Sequence, residues 1–532
     1  MATDSVAASL LRNETAMELL RLEDAVNTIY ALIMVIIIMF MQAGFAMLEA
    51  GSVRERGVRD VLFKNLLDIS VGALAFYMLG YLISSDSGNA FIGMPMVKVT
   101  NETVTPFDII GEAHHSLHGP AVSQYLTSFM FAATSATIVS GAMAERTQQR
   151  AYILSATAMV TVVYPVVAHW VWASRGWLAY AGESAVLGGA FDFAGGGVVH
   201  LTGGVVALVA AKILGPRARL DADAAANHRK MPKNSVVLVC LGTLLLWVGW
   251  LAFNCSSFGD ITAPGAAELA AQTAIRTMLS GGAGLLAAVT AARCRGKVGP
   301  MGRWGVWSLD HACNGLLAGL VSITAGAPVV SDWAAICIGG VGGLVYYGTS
   351  HLVTYVLRID DVIDAVAVHG ACGVWSLLAV GLLADGAIPP REHGGSPIIV
   401  RGALAPGGSA TLLAAEAIAA ISISMWAISL SLLVFMPTMQ LGMLRIPDDF
   451  EVIGIDIAEL GRPAYERGEA DQSEPQRAVA VPRGVSPPAS VDDVAVEGYA
   501  LNAEVELQDS ATPVEGDAEL AAVPRGVAVY TD

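Results

Sequence analysis

Apolar runs of about 20 residues recur between Ala31 and Met436, and short polar loops separate them. Helices of that length span the hydrocarbon core of a bilayer and satisfy their own backbone hydrogen bonds there. With 54% hydrophobic and 14% charged residues, the composition excludes a soluble globular enzyme. The sequence predicts an all-α polytopic membrane protein with eleven transmembrane helices, centred near Met34, Leu74, Ala132, Val160, Val205, Leu245, Leu285, Leu316, Gly343, Val374 and Ser424.

The loops differ in their content of Lys and Arg. Seventeen of these residues fall on the side that holds the loops after spans one, three and five, and six fall on the other side. Because Lys and Arg accumulate in cytoplasmic loops, we expect the N-terminus outside and the C-terminus in the cytoplasm. The glycosylation sequons at Asn13 and Asn101 both fall on the expected outer side. No basic region or cleavage site precedes the first span, which is therefore expected to remain as an anchor.

The sequence divides into four segments. We expect an extracellular N-terminal segment (1–24), an eleven-helix domain (25–445), a proximal cytosolic tail (446–469) and a disordered acidic cytosolic tail (470–532). Residues 446–532 hold nineteen acidic and five basic side chains, which accounts for most of the net charge of −17. The distal tail buries too little apolar surface to order itself, so we interpret it as a solvated extension, with a partner-binding tail as the alternative. The six cysteines follow no zinc or redox spacing and are expected to be free thiols.

Two histidines lie within apolar, glycine-rich spans in matching contexts. His200 follows Asp192 by eight residues, and His369 follows Asp361 by the same interval. The histidines belong to the fifth and tenth spans, which run in opposite directions, as in an inverted five-plus-five repeat with its site near the midplane. At 1.5 Å per residue, each histidine should lie about 12 Å deeper than its aspartate. We therefore expect the two imidazoles to meet near the centre of the bilayer.

An ionisable side chain at bilayer depth usually faces the bundle interior and marks a route for substrate or protons. Each neutral imidazole offers one donor and one acceptor, which suits a small polar solute that is uncharged or can lose a proton. A permanent ion would prefer a cage of carbonyl or carboxylate oxygens. The structural alternative is a satisfied pair of core histidines that holds helices together.

Six motifs, in order along the chain, resemble the Amt/Mep/Rh ammonium transporter family, and plant-type high-affinity members of its Amt branch in particular. They are GFAMLEAGSVR (44–54), KNLLD (64–68), GAMAER (141–146), FDFAGGGVVHLTGG (191–204), WLAFNCSS (250–257) and DDVIDAVAVHGACG (360–373). The resemblance covers about residues 25–465. It implies an eleven-helix fold, a homotrimer with one pore per subunit, and ammonium as the substrate.

The resemblance also implies roles for residues at the outer mouth of the pore. Trp172, Ser257 and Phe131 resemble the site that recruits the ammonium ion, and Phe131 and Phe253 resemble the ring pair that restricts access below it. An aromatic face attracts a cation, and a hydroxyl oxygen accepts one of its protons. The structural alternatives are an interfacial anchor for Trp172 and plain packing for the two phenylalanines.

Deeper residues match the family in the same way. His200 and His369 resemble its twin pore histidines, and Trp250 resembles an aromatic residue that lines the same passage. Asp192 and Asp364 resemble structural aspartates, of which Asp192 orders backbone groups and adds negative potential. Thr127 and Ser128 depart from the family pattern, in which an aromatic residue and a glutamine are typical.

The proximal tail resembles the family's cytosolic segment that docks on a neighbouring subunit and couples the pores. Gly454 and Asp456 fit this pattern. Ala458 stands where plant members carry a phosphorylatable threonine, which implies that this switch is absent.

Together the motifs imply import of ammonium across the plasma membrane, with deprotonation and passage of ammonia along the histidine pair. The alternatives are an ammonium sensor or a neutral facilitator of ammonia or carbon dioxide. No nucleotide-binding glycine loop, metal-ligand spacing or nucleophile motif occurs, so we expect no enzyme activity, no cofactor, no metal and no nucleic acid partner. His114, His115 and His118 follow no structural-site spacing and are interpreted as a solvated loop.

Overall fold

The computed structural model describes residues 2–93, 120–218, 231–295, 305–389 and 396–465. The expectations for Asn101, for the three histidines between positions 114 and 118, and for the distal tail concern residues outside these ranges. Asn13 lies in a described helix, but its side chain is also outside the described part.

Fifteen α-helices and two short strands make up most of the regular structure of these ranges, and short π and 3-10 turns make up the rest. The first eight helices are α1 (Ala2–Ser52), α2 (Val58–Ala75), α3 (Tyr81–Ser84), α4 (Pro120–Met143), α5 (Gln149–Ala158), α6 (Tyr164–Trp172), α7 (Thr202–Leu214) and α8 (Val236–Cys255). The next five helices and the strands are α9 (Ala266–Arg295), α10 (Leu309–Thr324), α11 (Asp332–His351), α12 (Cys372–Leu383), β1 (Asp385–Ile388), β2 (Ile398–Arg401) and α13 (Ala410–Gln440). The tail adds α14 (Asp448–Ile453) and α15 (Ile455–Leu460).

Ten helical segments of the described ranges are long and apolar enough to cross a membrane. They coincide with ten of the eleven predicted spans, so the class of a polytopic helical membrane protein is confirmed. The remaining prediction, centred near Leu316, falls on α10, which has only 16 residues. The count of eleven and the inverted repeat stay predictions. One departure from an all-helical chain is the antiparallel pairing of β1 with β2, in which Asp385 lies opposite Arg401.

The outer face of the bundle is apolar. Leu66, Leu74, Val237 and Leu433 are among its most exposed large side chains, and each is at least 65% exposed. In a water-soluble protein such a surface would be covered, whereas hydrocarbon tails solvate it without cost. The exposed side chains therefore agree with the membrane class.

Five helical segments widen locally into a π turn, in which a backbone N–H donates to the carbonyl oxygen five residues back. These turns are Phe76–Gly80, Met159–Val163, Gly196–Leu201, Leu352–Val356 and Val366–Ala371. Such turns inside α-helices are frequent at functional sites. Two of them contain the histidines, His200 and His369.

The two histidine-bearing segments touch through their backbones. A Cβ placed on Gly204 would lie 2.1 Å from the nitrogen of Gly370, and one on Gly373 would lie 2.7 Å from the oxygen of Gly196. Only glycine permits such an approach, because any side chain would hold the segments apart. These glycines bring the histidine rings within reach of each other.

Candidate functional site

The His200 segment starts from a backbone turn held by Asp192. The Asp192 carboxylate accepts four backbone N–H bonds, from Gly195 through Val198, at 2.7 to 3.0 Å. Gly195 has a φ of 93°, a conformation that glycine adopts without strain. The first N–H groups of a helix have no acceptors within the helix, and the Asp192 carboxylate provides acceptors for them. Helical structure thus begins only at Gly196, so the rise of 1.5 Å per residue assumed from Asp192 onward was wrong for the first four residues.

Asp361 prepares the second histidine segment in a similar manner. Its carboxylate accepts the N–H of Ala365 at 3.0 Å and that of Val366 at 2.8 Å. Asp364 directly precedes Ala365 and is a non-glycine residue with a φ of 62°. That conformation is disfavoured for side-chain-bearing residues and requires support from its surroundings.

Asp364 receives that support from α10 and α11. Its carboxylate accepts a hydrogen bond from Asn314 Nδ2 at 3.0 Å and another from Ser350 Oγ at 2.8 Å, and Tyr346 Oη lies 3.4 Å away. The Asp364 side chain therefore ties the start of the His369 segment to two neighbouring helices.

The two imidazoles are in direct contact. His200 Nδ1 lies 3.2 Å from His369 Nδ1, the ring planes are inclined by 24°, and the residues are 0% and 3% exposed. A hydrogen bond between two Nδ1 atoms requires a proton on one and a lone pair on the other. For two neutral rings, one Nε2 is then an acceptor and the other an N–H donor. His200 Nε2 has no hydrogen-bond partner among the described residues and is free to bind a solute.

Trp250 forms a wall beside the pair. Its ring stacks on His200 at 4.8 Å and 17°, and lies 6.4 Å from His369 at 11°. The indole N–H donates to Thr324 Oγ1 at 3.0 Å, which fixes the ring's orientation. Phe45 flanks His369 at 6.2 Å. Neither Thr324 nor Phe45 was anticipated, although Phe45 belongs to the GFAMLEAGSVR motif.

A continuous series of ring contacts leads away from the histidines. Phe253 lies 5.6 Å from His200 between ring centroids, and Phe131 lies 4.2 Å from Phe253 at an angle of 39°. The Trp172 ring follows at 5.7 Å from Phe131. The four aromatic rings singled out in the sequence and the two imidazoles thus form one connected column of six rings.

Trp172 and Ser257 differ in how their polar atoms are used. The Trp172 indole N–H donates to the backbone oxygen of Asp192 at 2.6 Å, so this polar atom is occupied and the ring face is held in place. Ser257 lies in the short 3-10 turn Ser256–Phe258, directly after α8. Its hydroxyl is buried and has no partner within the described ranges, which leaves it available to a ligand.

One buried acid is absent from the residues predicted from the sequence. Glu416 in α13 is 0% exposed, and its Oε1 accepts the N–H of Phe191 at 2.7 Å. The signal was present, because Glu416 is the sole charged residue in a helix of 31 residues. An ionisable residue within a span marks a functional position by default.

The proximal tail docks on the loop after the first span. Asp456 accepts the N–H of Arg59 at 3.0 Å and that of Asp60 at 2.7 Å, which caps the start of α2. Gly454, with a φ of 119°, lies against Arg56. A Cβ added to Gly454 would come within 2.6 Å of the Cβ of Arg56. Burial raises the pKa of Asp456 to about 6. The two N–H bonds favour the ionised form and lower the pKa, but the effect of burial is larger.

Buried charges join the loops at this same face. Glu145 pairs with Arg54 and with Arg217, the latter at 2.5 Å, and Arg217 pairs with Asp360 at 2.8 Å. Burial alone would raise the pKa of Asp360, but the Arg217 guanidinium outweighs that effect and lowers it well below the usual range. In the tail, Glu451 pairs with Arg445 at 2.8 Å. Sequence reasoning had noted the motifs around these residues but not their pairing.

Comparison with known proteins gives the same family as the motifs. The model described as "Ammonium Transporter Family" matches residues 29–465. Ammonium transporter 1 member 3 of Solanum lycopersicum is 36% identical, over 85% of this chain and 95% of that protein. Ammonium transporter Amt2 of Archaeoglobus fulgidus is 35% identical, over 83% of this chain and 88% of that protein. The crystal structure of Saccharomyces cerevisiae Mep2 aligns with a TM-score of 0.64 and 26% identity, over 80% of this chain and 89% of that chain. This multi-pass membrane protein therefore belongs to the ammonium transporter family, whose members are transporters and not enzymes.

Proposed function

We propose that this protein imports ammonium across the plasma membrane. Ammonium is recruited at the outer aromatic mouth, loses a proton near the Phe131/Phe253 pair, and crosses as ammonia past His200 and His369. The observation that carries this proposal is the buried contact of 3.2 Å between the two Nδ1 atoms, at the inner end of a column of aromatic rings. The relatives named above are ammonium transporters, which supports the substrate.

Recruitment rests on Trp172, Ser257 and Phe131. Because the Trp172 N–H is bonded to Asp192, the ring offers its face, and a cation over that face gains about 0.5–2 kcal/mol. The unpartnered Ser257 hydroxyl accepts one ammonium N–H. The Asp192 carboxylate is occupied by four backbone bonds, so in this proposal it supports the mouth and adds negative potential without touching the cation.

The step below the mouth separates ammonium from other cations. The rings of Phe131 and Phe253, whose centroids are 4.2 Å apart, carry no polar atoms that could replace a hydration shell. Ammonium can cross by giving up a proton to become neutral ammonia, whereas potassium has no proton to give and would pay its full dehydration. The histidine pair then offers ammonia one Nε2 acceptor and one Nε2 donor, which match its own N–H groups and lone pair.

Orientation and assembly complete the proposal. In this proposal the N-terminus lies outside, where the sequons at Asn13 and Asn101 are candidate glycosylation sites, and the tail lies in the cytoplasm. The arginines near the tail, the partly exposed Arg54 and the buried Arg217, support this orientation. We propose a homotrimer in which residues 446–469, through Gly454 and Asp456, regulate the pores.

Transport is tested in a yeast strain that lacks its own ammonium uptake, grown on millimolar ammonium. The wild-type chain should restore growth, and a sensor without transport should not. His369→Ala should fail to restore selective transport, whereas His351→Ala, the same change at an exposed histidine of α11, should behave as wild type.

Measurement of ammonium-evoked currents then shows whether the proton crosses the membrane together with ammonia. A current that scales with uptake means that charge crosses with each ammonia, and uptake without current means that the proton stays outside. An undiminished and still selective current in His369→Ala would rule out a relay along the histidine pair.

A further inference from the structure

A third buried histidine lies outside the pore, in the last turn of α6. His169 is 0% exposed, and it precedes Trp172 by three residues. Its Nδ1 lies 2.7 Å from the backbone oxygen of Ser85, and its Nε2 lies 2.7 Å from the backbone oxygen of Asn89. A carbonyl oxygen only accepts, so each contact requires an N–H on the ring. A neutral imidazole has one N–H and the imidazolium has two, so both contacts are hydrogen bonds only in the protonated ring.

The residues that His169 contacts belong to a short irregular segment, residues 85–93, which follows α3. Two more carbonyl oxygens of this segment accept hydrogen bonds from the region of α6. The Phe91 oxygen accepts the Trp170 indole N–H at 2.8 Å, and the Ala90 oxygen accepts the N–H of Trp177 at 3.2 Å. Segment 85–93 is therefore held on the end of α6 through its backbone, and His169 binds it at two points four residues apart.

The same turn of α6 holds the outer mouth. The Trp172 indole N–H donates to the backbone oxygen of Asp192 at 2.6 Å, and the Trp170 oxygen accepts the N–H of Leu178 at 3.0 Å. His169 and Trp172 are neighbours on the helix surface, because residues three positions apart lie on adjacent turns. A change in how segment 85–93 binds this turn therefore reaches the Trp172 ring.

A histidine with only a structural role needs a single N–H at this place. Burying a cation is costly unless its N–H groups are bonded, and the oxygens of Ser85 and Asn89 meet that need. If the ring loses a proton, one nitrogen presents a lone pair to a carbonyl oxygen at 2.7 Å, and the two repel each other. Histidine is the side chain that ordinarily changes charge between pH 5 and 8, so this contact depends on pH in that range.

The charged groups around His169 include one acid on the segment itself. Asp86 directly follows Ser85, and its carboxylate accepts the backbone N–H and, at 3.1 Å, the hydroxyl of Ser174. Its negative charge lies on the segment that His169 binds and favours the imidazolium. The other titratable residues on the elements packed against this turn are Tyr81, Tyr125, Tyr164, Arg175, Tyr180, Glu183 and His200.

We propose that His169 is a positioning residue of the outer mouth, whose imidazolium form holds segment 85–93 on the last turn of α6 and so keeps the Trp172 ring in place. This inference rests on the proposed function, since it assumes that ammonium is recruited at Trp172. A contact that exists only in the protonated form is present at acidic pH and is lost as the pH rises.

The first test measures amide hydrogen exchange of segment 85–93 in the purified full chain at pH 5.5 and pH 8.0, corrected for the intrinsic effect of pH on exchange. A hydrogen bond to a charged group changes an opening equilibrium about ten-fold or more. We expect the protection of the segment to fall by about that factor between pH 5.5 and pH 8.0.

Two variants assign this change to His169. His169→Gln keeps N–H donors that do not titrate, and His169→Phe keeps a ring without donors. In both variants the protection of the segment should no longer depend on pH, and in His169→Phe it should be low throughout. His351→Gln, a change at an exposed histidine of α11, should retain the dependence of the wild type.

The second test compares the KM for ammonium uptake of His169→Gln with that of the wild type at the same external pH. Their ratio removes every effect of pH that both proteins share. It should exceed one at pH 5.5, where only the wild type holds both carbonyl oxygens, and should approach one at pH 8.0. A change in kcat alone would not fit a residue that positions the recruitment site.

Three outcomes would overturn the inference. They are equal protection of the wild-type segment at both pH values, a pH dependence that persists in His169→Gln, and a KM ratio that is the same at pH 5.5 and pH 8.0. If His169→Phe does not fold, His169→Gln still decides each of these points. If the wild-type chain transports no ammonium, the proposed function fails, whereas the exchange measurement still shows whether His169 holds the segment by its charge.

Discussion

Gly204 tolerates no side chain, and Gly204→Ala tests how closely the histidine segments must approach. The added Cβ would lie 2.1 Å from Gly370 N and 2.9 Å from the carbonyl carbon of His369. Ordinary contact begins at 3.4 Å, so the two segments must move apart by about 1.3 Å. Since Gly370 follows His369 directly, this movement takes the 3.2 Å contact of the Nδ1 atoms beyond hydrogen-bond range.

Two costs follow from that movement. Overpacking of a close helix contact costs about 1–3 kcal/mol of stability, and a lost hydrogen bond costs about 1 kcal/mol. We expect a lower midpoint of thermal unfolding in detergent, measured by size-exclusion chromatography of heated samples. We also expect ammonium uptake per folded molecule to fall about five-fold or more, because 1 kcal/mol corresponds to about that factor.

Gly282→Ala is the matched control, because no atom lies within 4 Å of a Cβ at this helical position. It should leave uptake unchanged and stabilise α9 slightly, as alanine is the better helix former. Wild-type uptake and an unchanged midpoint in Gly204→Ala would refute the close-contact argument. Equal losses in both variants would refute it as well, since they would reflect a general sensitivity to alanine.

Three other predictions concern the mouth, the helix start and the tail. Ser257→Ala should raise the KM for ammonium about ten-fold with little change in kcat, because a hydrogen bond to a charged group is worth about 1.5 kcal/mol or more; a KM equal to wild type contradicts the assignment. Asp192→Asn should leave two buried N–H groups without an acceptor, at about 1–3 kcal/mol each, and the yield of folded protein should fall, whereas a normal yield excludes the capping role. Because the pKa of Asp456 is raised to about 6 in the docked tail, proton uptake favours docking, and trypsin should cut at Arg462 more slowly at pH 5 than at pH 7.5; Asp456→Asn should lose this pH dependence.

The membrane class and the histidine pair were predictable because both depend on local sequence. Apolar runs of spanning length fix the class, and the equal spacing from Asp192 to His200 and from Asp361 to His369 singles out the pair. The contact itself depends on Gly204 meeting Gly370, which are 166 positions apart. No periodicity reports such a pairing, so the sequence could only place the two rings at similar depth.

Other features were not predictable because they depend on backbone geometry or distant partners. That helical structure starts at Gly196 follows from the left-handed turn at Gly195 and the carboxylate that fills it. The bond from Phe191 to Glu416 joins residues 225 positions apart. The apolar residues of α10 predict a membrane span, but the helix has only 16 residues. Where a helix begins and ends in the folded protein depends on its caps and neighbouring elements, which the apolar pattern does not report.

The two histidine segments begin with the same local device, although different residues build it. In each, an aspartate eight positions before the histidine accepts N–H groups of the first turn, and the residue three positions after that aspartate has a positive φ. In the first segment that residue is Gly195, which needs no support. In the second it is Asp364, whose strain is offset by bonds from α10 and α11. The requirement is therefore on backbone shape, and Asp364 meets it while anchoring neighbouring helices as Gly195 cannot. This explains how two segments that share few residues each direct a histidine ring to the same point.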